Sequence, residues 1–335
     1  MNLIDIIHMK RGKDTIPVSF QRPGVAFDYR GREVPPHTPR FTHLIDGELV
    51  NGVLIEEAHT NLLPANISHT LTEPHTTGTL NGTYTFQCEG EGSYTLSGGA
   101  TGEVSKDNPQ TVTVSSATVT LTPTTTSTMN QILKLAYPLS WVLGGVTQPA
   151  ETLTIPSDTL NLTGYTIELE TYIHHNNRND AHTIIQNGIG RGENSVTVDF
   201  LIDNLRLMIY DKNKGYKLKR YPTPPVGMCK IAVQYNPAQF NLFYNSEKAT
   251  LQAGAGTGVQ KEKGNIISIG WNIDGWAHMN TIIRDVTITG VDRTDDDIVA
   301  RATRPSGKGF GVDRQVTIHA PLQHNLHAYK IRGGA

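Results

Sequence analysis

Apolar and polar residues alternate along short stretches of the chain, and glycines separate these stretches. In "TYTFQC" (83–88) the aromatic residues and the cysteine share one face, while threonine and glutamine occupy the other. This is the pattern of a half-buried β-strand. In "TVTVSSATVTLT" (111–122) the parity of the apolar residues reverses across two serines, as a turn or bulge requires. The pattern predicts a small antiparallel, jelly-roll-like β-sandwich over residues 64–147.

Longer alternating stretches follow, among them "YTIELETYI" (165–173) and "CKIAVQY" (229–235). Because such strands recur at regular spacing with almost no helical periodicity, residues 148–303 are predicted to form a second, larger two-sheet sandwich. The one predicted helix is "DRTDDDIVARA" (292–302), in whose first turn Asp295, Asp296 and Asp297 face the positive end of the helix dipole. The predicted fold class is therefore all-β, with two antiparallel β-sandwiches.

The two ends of the chain depart from this pattern. Residues 1–63 are predicted to form an irregular N-terminal arm, because four prolines between residues 23 and 39 remove backbone donors. Such an arm is ordered only where a body or a neighbouring subunit supplies hydrogen bonds. Residues 304–335 are predicted to be a C-terminal extension, in which "QVTIHA" (315–320) adds a strand to a neighbouring subunit.

The composition narrows the classes of function. The chain has 335 residues, with 29 lysines and arginines against 31 aspartates and glutamates. The chain therefore has no excess of positive charge that would attract nucleic acid. No stretch approaches the ~18 consecutive apolar residues that cross a bilayer, so no membrane insertion is expected. The two cysteines, Cys88 and Cys229, are predicted to be buried thiols rather than a disulfide.

The N-terminal stretch "MNLIDIIHMKRGK" (1–13) is a candidate anchor. Leu3, Ile6 and Ile7 share helical spacing, which predicts a short amphipathic turn that docks on a partner. The alternative is a frayed or locally packed terminus. The basic residues follow the apolar ones, which is the reverse of a secretory signal.

One phrase at the boundary between the arm and the first sandwich carries a resemblance. It begins with "PRF" (39–41) and continues, after a predicted turn, as "GVLIEEAHTNLL" (52–63). It resembles a phrase of tailed-bacteriophage virion proteins, in which Pro-Arg-Phe leads to Gly-x-Leu-Ile-Glu-Glu-x-x-Thr-Asn-Leu-Leu. His59 stands where that family usually has arginine. The matching residues are Arg40, Phe41, Leu54, Ile55, Glu56, Glu57, Thr60, Asn61 and Leu62.

The resemblance implies that these residues form a structural joint, in which apolar side chains pin the arm to the body and the two glutamates bind backbone or arginine donors. It also implies a concanavalin-like (laminin-G-like) fold for residues 148–303. In that family the protein is an exterior part of the virion: a head fibre, tail fibre, spike or decoration protein. The implied partners are further copies of the chain, as a trimer, and capsid or tail proteins, with residues 1–25 as the attachment.

Catalysis on such a sandwich is the main alternative. Concanavalin-like sandwiches also carry glycoside hydrolases, which need two carboxylates beside the scissile bond. Glu168 and Glu170 lie on one face of a predicted strand, and Tyr172 and His174 continue that face without a third acid. Solvent-facing polar positions explain them equally well, and the β-helical repeats of depolymerising spikes are absent. The sequence therefore predicts a protein that is not an enzyme, with a glycan-degrading tail spike as the alternative.

Binding of host-surface glycans is predicted at "GWNIDGWAH" (270–278), because such sandwiches bind sugars through exposed aromatic rings and polar groups on loops. The alternative is that both tryptophans belong to the core. The candidate residues are Trp271, Asn272, Asp274, Trp276 and His278.

No metal and no cofactor are predicted. Zinc needs three or four converging ligands, but the adjacent His174 and His175 point to opposite faces of a strand. His324 and His327 form a second cluster that is too small for zinc by itself. The glycine-rich loops lack the strand-to-helix context of phosphate sites.

Overall fold

The computed structural model describes most of the chain. The described ranges are residues 8–11, 14–17, 19–45, 48–157, 160–173, 182–188, 195–201, 204–211, 215–222, 227–260, 262–271, 279–290, 292–303 and 315–319.

Strands predominate, and only two helices occur among the described residues. From the N-terminus to residue 133, the elements are β1 (His8–Arg11), β2 (Asp14–Pro17), β3 (Ser19–Gln21), β4 (Ala26–Phe27), β5 (Glu33–Val34), β6 (Thr42–Ile45), β7 (Glu48–Asn51), β8 (Val53–Ile55), β9 (His59–Thr60), α1 (Ala65–His69), β10 (Thr70–Leu71), β11 (His75–Thr76), β12 (Leu80–Cys88), β13 (Ser93–Gly98), β14 (Gly102–Ser105), β15 (Gln110–Ala117), β16 (Val119–Thr125), β17 (Ser127–Thr128) and β18 (Asn130–Leu133).

The remaining elements are longer on average. They are β19 (Thr147–Gln148), β20 (Thr152–Pro156), β21 (Tyr165–Ile173), β22 (His182–Asn187), β23 (Val196–Leu201), β24 (Asn204–Tyr210), β25 (Tyr216–Pro222), β26 (Gly227–Asn236), β27 (Gln239–Tyr244), β28 (Glu247–Lys248), β29 (Leu251–Ala253), β30 (Ile266–Ile269), β31 (Thr281–Thr289), α2 (Asp295–Ala302) and β32 (Gln315–His319). Neither helix of the described part is long and apolar enough to cross a membrane.

The chain divides into two compact units, and neither is continuous in sequence. The larger unit consists of Met1–Gln21, Asn51–Glu56 and Glu151–Ala335. The smaller unit consists of Arg22–Val50 and Glu57–Ala150. The residues of the predicted arm are thus distributed over both units.

The larger unit is a sandwich of two antiparallel sheets, which confirms the predicted all-β fold class. One sheet has eight strands in the order β29-β25-β24-β23-β22-β30-β20-β3. The other has the order β28-β27-β26-β21-β31-β32, and β8 also pairs with β31. The stacked rings of Tyr165 and Tyr235 lie within the sandwich, and their hydroxyl groups bind Gln260. Gln260 in turn donates to Asn187 of the eight-stranded sheet.

Alternation along β21 explains how this unit acquires a core and an outer face. Ile167, Leu169 and Ile173 are buried with the apolar residues of the neighbouring strands. Glu168 and Glu170 point to the opposite face because successive side chains of a strand alternate. This outer face receives α2.

Helix α2 begins where the sequence predicts. The hydroxyl group of Thr294 caps it by accepting from the backbone N–H of Asp297 at 3.2 Å, and acidic residues fill its first turn. Ile298 packs against Ala232 and Phe243 of the seven-stranded sheet. This small apolar contact places the C-terminal end of α2 above β21.

The smaller unit is a second antiparallel sandwich. Its main sheets have the orders β11-β16-β13-β14 and β15-β12-β18. Tyr84, Phe86 and Cys88 of β12 are buried in its core, as the alternating pattern predicts. The reversal of parity lies near the end of β15, at Ser116, whose φ is +50°.

The second face of β12 differs from the prediction. Thr85 and Gln87 were expected to face solvent, but both are buried. The segment after β18 covers them. Thr85 Oγ1 donates to Leu135 O at 2.9 Å, and Gln87 exchanges hydrogen bonds with the backbone of Leu139. These polar side chains replace the sheet partners that an irregular segment lacks.

The proline-rich segment of the arm obtains hydrogen bonds from its own unit. Arg22 is fully buried and donates to the carbonyl oxygens of Gly24, Val34 and Pro35. One buried guanidinium group therefore supplies the donors that the prolines remove.

The segment "QVTIH" was predicted to add a strand to a neighbouring subunit. In the structure it forms β32, which pairs with residues 285–289 of β31 in the same chain. The prediction of strand exchange through this segment is wrong for the single chain, because the open edge of its own sheet accepts it. The two cysteines are free and buried, as predicted.

Candidate functional site

The phrase at 52–63 begins as a strand of the larger unit. Val53, Leu54 and Ile55 form β8, and all three are buried. They pair with residues 281–283 of β31. Gly52 precedes the strand where a Cβ atom would collide with Ile282, so that only glycine permits this close approach.

The two glutamates of the phrase have different neighbours. The backbone of Glu56 pairs with Glu151, since Glu151 N donates to Glu56 O and Glu151 Oε2 accepts from Glu56 N at 3.1 Å. In the smaller unit, the carboxylate of Glu57 accepts from the hydroxyl group of Tyr137.

Asn61 is the polar centre of the smaller unit. It is fully buried, and its side-chain amide is bound on both sides. Its Oδ1 accepts from the backbone N–H groups of Leu63 and Ile132, each at 3.1 Å. Its Nδ2 lies 2.8–3.0 Å from three acceptors, namely Ser68 Oγ, Asn130 O and Val142 O. An amide at this position therefore joins the phrase to α1, to β18 and to the segment that follows β18.

The remaining residues of the phrase lie in the same unit with varied exposure. Arg40 is buried and donates to Phe27 O at 3.4 Å. Thr60 pairs through its hydroxyl group with Thr147 at 2.7 Å. Leu62, in contrast, is 46% exposed.

Three further residues have clear positions in this unit. His59 is buried, and its ring nitrogens lie 3.0 Å from the carbonyl oxygens of Glu57 and Ser140. Phe41 is partly exposed. Trp141 is buried, packs edge-on against Phe27 and donates from Nε1 to Ser68 Oγ at 3.1 Å.

A pocket of about 450 Å³, including the space at its mouth, lies between the outer face of the seven-stranded sheet and α2. Its charged lining residues are Glu168, Glu170, Lys230, Asp285 and Arg301. The three acids come together because β21 pairs with β31, which places Asp285 directly opposite Glu170. We call this site the acidic pocket.

Arginine side chains bind two of the three acids. Arg301 Nε lies 2.8 and 2.9 Å from the two carboxylate oxygens of Glu168. Arg284 Nη1 lies 3.2 Å from Glu170 Oε1. Arg293 approaches Glu168 at 3.7 Å and binds Asp297 at 2.7 Å. These pairs hold the C-terminal half of α2 on the sheet.

Asp285 lacks a comparable partner. Its Oδ1 is buried without a hydrogen bond, and Glu170 Oε1 has no hydrogen bond beside its ion pair with Arg284. The pKa of Asp285 is raised to about 7, mainly by burial and in addition by the charges of Glu170 and Glu168. Loss of water around a carboxylate disfavours its charged form, so this carboxyl group is largely protonated below neutral pH.

The sequence identified two of the three acids of the acidic pocket. Glu168 and Glu170 were identified, but the face was expected to have no third acid. Asp285 supplies it from β31, which lies more than a hundred residues further along the chain. The alternating pattern "TIIRDVTIT" of β31 marks the strand, but not its register against β21.

Only one predicted glycan-binding residue lies in the described part of the chain. Trp271 is partly buried, and its Nε1 donates to Leu153 O at 3.1 Å. Asn272, Asp274, Trp276 and His278 lie outside the described residues. The same holds for the predicted anchor residues Leu3, Ile6 and Ile7.

The described residues contain no group of three or more histidine, cysteine or acidic side chains placed to hold a metal ion. The histidines of the two clusters in the sequence, His174, His175, His324 and His327, lie outside the described residues.

Comparisons with known proteins give similarity to solved structures only. No protein-family model and no curated protein sequence matches the chain. Among solved structures, the receptor binding domain of botulinum neurotoxin C/D mosaic serotype is 13% identical, with a TM-score of 0.38, over 46% of this chain and 40% of that chain. The binding domain of botulinum neurotoxin serotype C1 gives 12% identity and a TM-score of 0.38, over 46% and 40%.

The chain thus spans about two fifths of the length of these toxin domains. At these TM-scores and identities, the similarity carries no conclusion about function.

Proposed function

We propose that this protein is an exterior structural component of a tailed-phage particle, a fibre, spike or decoration subunit that binds host-surface glycans without degrading them. The observation that carries the proposal is the use of the phrase at 52–63. It supplies a buried strand to one unit and the saturated polar centre Asn61 to the other. A phrase that resembles one of phage virion proteins is thus built into the scaffold, as a role in particle architecture requires.

The arginines that bind the acids support the proposal that the protein has no hydrolase activity. A retaining glycosidase needs one free carboxylate as nucleophile and a second as general acid. Both oxygens of Glu168 are bound by Arg301, and Glu170 is paired with Arg284. Arginine partners of this kind occupy carboxylate oxygens that a nucleophile would need for its attack.

One observation favours the alternative of a glycan-degrading spike. Burial raises the pKa of Asp285 to about 7, which suits a general acid near neutral pH. Incubation with host-surface polysaccharide separates the two functions. We expect no release of reducing ends. Release by the wild-type protein that disappears in Asp285→Asn and Glu170→Gln would establish the hydrolase.

Immunogold electron microscopy tests the location. Antibodies raised against the purified protein are expected to label the outside of intact phage particles, on the head or the tail. Particles of a phage that lacks the gene are the control. Unlabelled particles in a lysate that contains the free protein would contradict the proposal.

The same particles test attachment and assembly. Deletion of residues 1–7 is preferable to removal of the first 25 residues, because β3 at 19–21 pairs with β20. The shortened protein should fold as a trimer, with slightly less than three times the 36.7 kDa of the full chain, and should no longer label particles. Normal occupancy would place the anchor elsewhere, and a sedimenting monomer would exclude the trimer.

A further inference from the structure

We propose that the acidic pocket binds one neutral, hydroxyl-rich sugar residue, with Glu170 and Asp285 as acceptors of its hydroxyl hydrogens. This inference deepens the proposed glycan binding and rests on it. It also relocates the sugar, since the sequence predicts glycan binding around Trp271.

The pocket leaves part of its hydrogen-bonding capacity unused. Glu170 is only 6% exposed, and its Oε1 has no hydrogen bond and only the ion pair with Arg284 Nη1 at 3.2 Å. Oδ1 of Asp285, on the neighbouring strand, is also buried without one. Buried polar atoms are nearly always bound, and a native exception calls for an explanation. A ligand that brings two donors to adjacent acceptors would satisfy both oxygens at once.

The charge balance of the pocket selects a neutral ligand. The side chains around the pocket include equal numbers of acids and bases. The acids are Glu168, Glu170, Asp285 and Asp297, and the bases are Lys230, Arg284, Arg293 and Arg301. A cationic ligand would add charge to a balanced site, and an anionic one would meet the carboxyl groups of Glu170 and Asp285.

The pocket wall presents a mixture of hydrogen-bond donors, acceptors and apolar surface. Lys230, Asn245 and Arg301 offer donors next to the two acceptors. A hydroxyl group donates and accepts, so that vicinal hydroxyl groups fit such a mixed site. Ala232 and Ala302 leave room and contribute apolar surface for the C–H groups of a sugar ring.

Saturation-transfer NMR on the purified full chain tests the inference. The probes are glucose, galactose, N-acetylglucosamine and the amine-bearing glucosamine. We expect at least one neutral sugar to bind with a dissociation constant on the order of millimolar, as is usual for a few hydrogen bonds to a small ligand.

Three variants locate the sugar. Asp285→Asn removes one acceptor oxygen, and Ala302→Phe fills the pocket from the end of α2 without changing a charge. Both should weaken binding by about tenfold or more, which corresponds to 1.4 kcal/mol. Glu262→Gln, an exposed acid that does not line the pocket, is the matched control and should bind as the wild type does.

Several results would overturn the inference. These are the absence of binding by every neutral probe, undiminished binding in both Asp285→Asn and Ala302→Phe, or binding of glucosamine at least tenfold tighter than of the neutral sugars. The last result would identify a site for ammonium groups. Because the measurement uses the isolated protein, its failure is distinguishable from failure of the particle labelling.

Discussion

Asn61 in the smaller unit and the pair Glu170–Asp285 in the larger unit are both buried polar groups, and they differ in how completely they are bound. Asn61 uses its amide oxygen and nitrogen for contacts with five groups of its own unit. Glu170 and Asp285 each retain an oxygen without a hydrogen bond. A saturated group stabilises one conformation, whereas an unsaturated one costs stability and persists where something else requires it.

Loss of the Asn61 amide should cause the largest change in stability. In Asn61→Ala the backbone groups of Leu63, Ile132 and Val142 lose buried partners. We expect the free energy of unfolding to fall by about 3–5 kcal/mol. Urea denaturation measures the change.

Asn66→Ala is the matched control for this experiment, since Asn66 lies on the nearby helix α1 with an exposed side chain. It should change the free energy of unfolding by less than about 0.5 kcal/mol. Equal effects of the two substitutions would remove the distinction between a saturated polar centre and an ordinary surface amide.

The next effect concerns Asp285 and depends on pH. Its pKa is about 7 in the folded protein, against an ordinary value of 3.8. Between about pH 4 and pH 7 the carboxyl group of Asp285 is ionised in the unfolded chain but holds its proton in the folded protein. The wild-type protein therefore loses stability as the pH rises through this range. Asp285→Asn removes this loss.

The stability of Asp285→Asn relative to the wild type should therefore increase by about 2–4 kcal/mol between pH 4 and pH 8. Thermal unfolding at a series of pH values measures it. Asp199→Asn is the contrasting variant, because Asp199 is buried but fully paired with Arg206 at 2.8 and 2.9 Å. It should be destabilising near neutral pH. A pH-independent difference for Asp285→Asn would show that the folded state does not hold its proton.

The smallest expected effect is the difference in stability loss between breaking a buried ion pair and breaking an exposed one on the same helix. Glu168→Gln leaves Arg301, whose side chain is 4% exposed, without its charged partner. We expect a loss of about 2 kcal/mol. Lys248→Gln breaks an exposed pair with Asp295 at the other end of α2 and should cost less than about 0.5 kcal/mol. Calorimetry of both variants decides the order, and an inverted order would mean that Glu168 does not hold the helix.

Local patterns predicted much of the fold. The alternation in β12 and β21 identified both sandwiches, and the aspartates before Ile298 identified α2. These features depend on neighbours in sequence, and strand and helix periodicities reveal them.

Features that depend on distant parts of the chain were missed. The burial of Thr85 and Gln87 depends on an irregular segment some fifty residues away. The place of Asp285 opposite Glu170 depends on the register between β21 and β31. A shift of one residue would place the acid on the other face, and nothing local fixes that choice. The third acid of the pocket was therefore visible only in the structure.

The position of β8 has a consequence for synthesis of the protein. Its partner, residues 281–283 of β31, emerges from the ribosome more than two hundred residues after Ile55. At about 5–20 residues per second, this delay is on the order of 10–45 s. The smaller unit, which ends at Ala150, is complete well before that time. During this interval the apolar segment Val53–Ile55 cannot pair with β31. A nascent chain without chaperone protection can therefore aggregate through this segment.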